Sequence, residues 1–70
     1  MNELDELKVK GYAQLSAVYL EKHFLTREDN NKLEDIFYNL WDISEMGLSE
    51  EMIELRSNTL EKIAIKQRIV

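Results

Sequence analysis

The stretch TREDNNKLEDIFYNLWDISEMGLSEEM, from Thr26 to Met52, decides how this chain folds. It opens on Thr26-Arg27-Glu28-Asp29, a hydroxyl followed three residues later by a carboxylate. At that spacing Thr26 can accept the amide hydrogen of residue 29 while Asp29 reaches back to the amide of residue 26, the reciprocal pattern of a capping box. A helix starts here. Leu33, Ile36, Leu40 and Ile43 then recur on one side at about 100° per residue, with Phe37 on the shoulder, so the helix has one core-facing stripe. Gly47 follows and can adopt the left-handed conformation that ends helices. Ser49 with Glu50 and Glu51 supplies a cap and dipole-complementing charge for the next one.

Extending outward from this stretch, the spacing predicts three helices near 3–24, 27–46 and 50–68. With no proline and glycine only at positions 11 and 47, nothing else interrupts them. At ~1.5 Å per residue each is about 30 Å long, a match suited to antiparallel neighbours. The expectation is an all-α, antiparallel three-helix bundle forming a single domain over residues 1–70. In the third helix Met52, Ile53, Leu60 and Ile63 define the inward stripe, with Ala64 and Val70 near it, and Ile65 and Ile69 make a small patch on the far side. Arg56 falls in the middle of the inward stripe. Its guanidinium must either snorkel to water or find a carboxylate, in which case it fixes helix register or dimer geometry.

The first helix carries two apolar stripes, Leu4, Leu7, Leu15 and Val18 on one side and Ala13, Ala17, Leu20 and Phe24 on another. A helix needs one stripe to reach its own core. Seventy residues make a thin core, and without cysteine no disulfide can reinforce it, so association is the remaining common route to buried area. A homodimer is therefore expected, with its interface at Ala13, Ala17, Leu20 and Phe24 and with Arg56 as a candidate member.

The net charge of −5 disfavours non-specific binding to nucleic acid or to anionic membrane. Its distribution is uneven. Residues 1–27 are neutral, residues 28–54 carry nine acids against Lys32 alone, and residues 55–70 are net basic. Trp41 falls at the border of the second helix's apolar stripe, beside Glu34, Tyr38 and Glu45. Asp42 and Glu45 lie near the predicted carboxyl end of that helix, where an acid opposes the helix dipole by roughly 0.3–1 kcal/mol. Such acids serve solubility, answer the basic third helix, or face a basic partner. The last alternative makes Glu34, Tyr38, Trp41, Asp42 and Glu45 a partner-binding surface, an aromatic anchor with a charged rim.

Chemistry has little to work with. His23 is the sole histidine and sits near the end of the first helix, where a cation suits the dipole. No Cys, Glu-x-x-His pair or glycine-rich phosphate loop is present, so neither an enzyme, a cofactor nor a metal is expected. There is no apolar run near the ~20 residues that span a bilayer, and the acidic amino terminus lacks the basic region of a secretory signal, which makes the cytoplasm the expected compartment.

Two resemblances bear on function. Gly47-Leu48-Ser49 between helices resembles the turn of helix-turn-helix DNA-binding proteins, which implies residues 50–68 as a recognition helix; its first turns would present Glu50, Glu51 and Glu54 to phosphates, the wrong sign for docking. Ser57-Asn58-Thr59-Leu60-Glu61 is similar to the Ser-Gln-x-Leu-Asp signature of the small aspartyl-phosphate phosphatases that act on bacterial sporulation regulators, with Asn58 in place of Gln and Glu61 in place of the Asp that carries activity. The reading that uses most of the residues is a small acidic interaction module that regulates or inhibits a larger protein. A helix-turn-helix regulator and a purely structural assembly subunit are the alternatives.

Overall fold

The computed structural model describes residues 3–68, and these form three packed helices with no strand among them. Helix α1 runs Glu3–Leu20, α2 Arg27–Trp41 and α3 Glu50–Arg68, with a short 3₁₀ turn at Glu45–Gly47 between the last two. The body is a rod of 37 × 17 × 16 Å, as three helices laid side by side require. Ile69 and Val70, part of the expected apolar set, lie outside the described residues.

The capping box forms as its spacing predicts. The amide of Asp29 donates to Thr26 Oγ1, and the amide of Thr26 donates to Asp29 Oδ2, both at 3.1 Å. Lys22 adds a 3.0 Å ion pair to Asp29 Oδ1 and lies over the Tyr19 ring. The Thr26 backbone hydrogen bond, followed by the bond from Lys22, holds the Asp29 carboxyl below its ordinary pKa. The Lys66 ammonium donates to the Lys22 carbonyl, so the α1–α2 turn is tied to α3.

Helix α3 is started differently. Ser49 accepts the amide of Met52, but residue 52 is an apolar core residue and cannot return a carboxylate as Asp29 does. Glu6 of α1 fills that role, its Oε2 accepting the Ser49 amide at 2.9 Å. The cap is completed across 43 positions of chain.

The core is Val9, Leu33, Ile36, Leu40, Ile43, Leu48, Met52, Leu60 and Ile63, with Tyr12, Tyr19, Leu20, Leu25, Phe37, Ile53 and Leu55 packed against it. The whole predicted stripe of α2 is therefore inside. Ser16 and Thr59 are buried as well, each returning its hydroxyl hydrogen to a carbonyl of its own helix, Ala13 and Leu55. None of the buried side-chain polar atoms among the described residues lacks a partner.

Two helices end earlier than periodicity predicts. α1 stops at Leu20 and not near residue 24, its last turn tightening through a Lys22 amide bond to the Tyr19 carbonyl. α2 stops at Trp41 and not near residue 46. Gly47 does not take a positive φ. The stop comes from Arg56, whose Nε donates to the Leu40 carbonyl at 2.9 Å and whose Nη2 donates to the Trp41 carbonyl at 3.1 Å. The guanidinium and the Ile43 amide, which donates to the Leu40 carbonyl at 3.2 Å in a tightened last turn, replace the continuation of the helix. Ser44 then accepts the Met46 amide and opens the 3₁₀ turn.

Helix α1 turns its less obvious side inward. Val9 and Ser16 are buried, flanked by half-buried Tyr12, Ala13, Tyr19 and Leu20. The longer aliphatic stripe, Leu4, Leu7, Leu15 and Val18, faces away, each residue keeping 51–65% of its surface exposed. Gly11 lies in that outer face with nothing within 4 Å of where a Cβ would sit. A glycine in a helix interior costs about 0.5–1 kcal/mol against alanine, and nothing among the described residues requires it.

Candidate partner-binding surface

At the carboxyl end of α2 an aromatic cluster is built from the core outward. Phe37 is half-buried against the core, stacks on Trp41 with ring centroids 6.1 Å apart and planes 11° apart, and meets Tyr38 edge-on at 5.8 Å. Trp41 and Tyr38 remain 62% and 58% exposed. Offset stacking and edge-to-face contacts favour such arrangements by about 0.5–1.5 kcal/mol beyond area burial. The exposed rings are therefore held on a fixed base.

Glu34, Tyr38 and Trp41 follow one another at helix spacings of four and three, so they share the outward face of α2. Asp42 caps the helix and is exposed, one turn beyond Tyr38. Glu45 is off the helix, on the 3₁₀ turn, and its Oε1 accepts from Arg56 Nη1 at 3.2 Å while most of the carboxylate side chain stays in solvent. Of the three roles open to Asp42 and Glu45, Glu45 answers the third helix. Met46, next to it in sequence and 97% exposed, is a surface apolar group that periodicity hides, because the periodic pattern runs the helix on to residue 46.

Arg56 supports this end of the molecule. It is buried, and three of its N–H groups are used within its own chain, on Leu40, Trp41 and Glu45. Of the two alternatives for this residue, snorkelling and pairing, the bonds are those of a paired arginine between α2 and α3. The residues expected at a dimer interface are spread over different environments. Ala13 and Leu20 turn toward the chain's own core, Ala17 and Phe24 are exposed, and Arg56 is buried between α2 and α3.

Elsewhere, a shallow apolar groove of ≈ 300 Å³ lined by Leu20, Ile65 and the stems of Lys62 and Lys66 lies at the opposite end of the bundle. No group of three or more His, Asp or Glu suited to a metal ion comes together among the described residues, and His23 is exposed in the α1–α2 turn. In the Ser57–Glu61 segment Thr59 and Leu60 point into the bundle while Asn58 and Glu61 are exposed. No helix among the described residues is long and apolar enough to cross a membrane. No protein family matches the chain, and neither a characterised protein nor a solved structure is significantly similar to it.

Proposed function

We propose that this protein is a small helical interaction module that binds a larger protein through the exposed end of α2 and regulates or inhibits it. The observation that carries the reading is Trp41, more than half exposed yet stacked on Phe37 and tethered through its carbonyl to buried Arg56. A ring already stacked on its neighbour has less freedom to lose on binding, and tryptophan is over-represented among the residues that dominate interfaces. Glu34, Asp42 and the neighbouring acids of residues 28–54 suit a partner with a basic rim, since charge complementarity speeds encounter and fixes orientation. Binding, without cofactor or catalysis, is the activity proposed, and the cytoplasm is its proposed setting.

The helix-turn-helix alternative fits the geometry less well. That motif joins its helices by a turn of about three to four residues, whereas Asp42–Ser49, with its own 3₁₀ turn, separates α2 from α3. Self-association belongs to the proposed reading, because the outer face of α1 leaves four large aliphatic residues in water.

Affinity capture on immobilised wild type, Trp41→Ala and Leu7→Lys tests the reading, after circular dichroism shows that each variant keeps its helices. A specific partner should be retained by wild type and Leu7→Lys and lost by Trp41→Ala, which weakens binding by roughly 2 kcal/mol or more. Equal retention by all three would place the partner surface elsewhere.

A further inference from the structure

We propose that the protein forms an antiparallel homodimer through the outer face of α1, with the two-fold axis passing beside Gly11. This rests on the self-association included in the reading above and specifies its surface. The five residues of the face are Leu4, Leu7, Gly11, Leu15 and Val18. Counted from Gly11, the four large residues stand four and seven positions to either side, so the pattern reads the same in both directions. At 100° per residue all five also fall within one narrow sector, with Gly11 near its middle.

That symmetry is what a two-fold contact requires. An isologous interface must be self-complementary, each residue meeting a partner residue that meets it in return. Run antiparallel about Gly11, Leu4 lies against the partner's Val18, Leu7 against the partner's Leu15, and the two glycines face each other at the crossing. Without side chains there, the helix axes can close to the lower end of the roughly 8–10 Å range of packed helices. A glycine that nothing inside the chain uses thus acquires a use.

Charge permits a second copy on this face. Two chains of net charge −5 repel, and most of the excess acid lies in residues 28–54. Residues 1–27 are neutral, so two copies meeting through α1 keep the acidic segments out of the contact. Area sets the strength. The exposed apolar side chains amount to roughly 400 Å² per copy, as large as the biggest patch on an ordinary monomer. A pair burying them with their flanking stems covers on the order of 1,000 Å², the lower end for specific interfaces. An interface of this size suits a weak, reversible dimer.

Sedimentation equilibrium from micromolar to millimolar protein should show mass rising from 8.3 kDa toward twice that value. Leu7→Lys, at a position exposed in the folded chain, should keep its helical dichroism and raise the dimer dissociation constant at least 30-fold. Because the chain has no cysteine, single thiols report geometry. Gly11→Cys should form a disulfide-linked dimer on mild oxidation, and Leu4→Cys should not, since its symmetry mate lies about 20 Å away along the antiparallel pair and a disulfide needs Cα atoms within about 7 Å. A wild type that stays monomeric throughout would overturn self-association altogether. A dimer unaffected by Leu7→Lys would overturn this face while leaving self-association standing, and crosslinking of Leu4→Cys as fast as Gly11→Cys would replace the antiparallel arrangement by a parallel one.

Discussion

The two exposed apolar surfaces of this small bundle are built on different terms. At the end of α2 the exposed rings are rooted in the core through Phe37, rimmed by acids, and fixed through the backbone by a buried guanidinium on Leu40 and Trp41. Along the outside of α1 there are only aliphatic side chains and a glycine, with no charge within the face and no internal contact at Gly11. One surface is held by the fold and the other is merely carried by it. The difference teaches where mutation should be felt: changes beneath the α2 surface act on stability first, and changes on the α1 face act on association first.

The strongest way to break the comparison is Arg56→Met. The apolar stem is kept, but the Trp41 carbonyl loses its guanidinium donor and the Leu40 carbonyl keeps only the Ile43 amide, and hydrogen bonds to a charged group are worth about 1.5–3 kcal/mol each. Relief from burying a cation offsets part of that loss. A net destabilisation of about 3 kcal/mol is expected in urea unfolding, with a red-shifted Trp41 emission as the end of α2 frays. Leu7→Lys, measured beside it in dilute solution, should stay within about 0.5 kcal/mol of wild type, as surface changes do. Similar losses in the two variants would show that the surfaces are not differently supported.

A milder perturbation works from the amino-terminal end of α1, whose outer residues face solvent while the carboxylate of Glu6 reaches the start of α3. Glu6→Gln weakens the carboxylate that accepts the Ser49 amide and so the start of α3. Caps of this kind are worth about 1 kcal/mol, and the glutamine oxygen still accepts a neutral hydrogen bond of roughly half the strength. A loss of about 0.5–1 kcal/mol in thermal unfolding is expected, with amide exchange accelerated in the first turn of α3. Unchanged exchange there would mean that Ser49 caps the helix unaided.

These residues also mark how far the amino-acid sequence could be read. Thr26 with Asp29, and the run Leu33, Ile36, Leu40 and Ile43, were legible because each signal is local: a three-residue reach or one helix's periodicity. The end of α2 was not, because its determinant, Arg56, lies sixteen positions from Leu40 and acts through tertiary contact. Nor was the inward face of α1. Its buried members include a serine, and periodicity weighs residue size and polarity without knowing that Ser16 can bond the Ala13 carbonyl and let a neighbour approach. The aromatic surface was half legible: Trp41, Tyr38 and Glu34 fall together as spacing requires, whereas Glu45 and Met46 moved onto the 3₁₀ turn when the helix stopped early.

The smallest effect separates the two roles of a single residue on the α1 face. Gly11→Ala adds a methyl group where the folded chain leaves open space and no positive φ is strained. In dilute protein it should therefore stabilise the monomer by about 0.5–1 kcal/mol through helix propensity and lower unfolded-state entropy, raising the melting temperature by about 2–8 °C for a domain of this length. In the dimer the same methyl group sits at the closest approach of two helices and weakens association. Because dimerisation stabilises the folded state by an amount that grows with the logarithm of concentration, the wild-type melting temperature should rise with protein concentration more steeply than that of the variant. The two curves should converge, and cross if the interface is tight at Gly11. Scanning calorimetry from about 10 μM to 1 mM, where a dimer with a dissociation constant of about 100 μM passes from mostly dissociated to mostly associated, reads both effects in one series. A constant separation between the curves would leave Gly11 with a helix penalty and no dimer role, and the outer face of α1 would then be an uncovered surface with no second copy upon it.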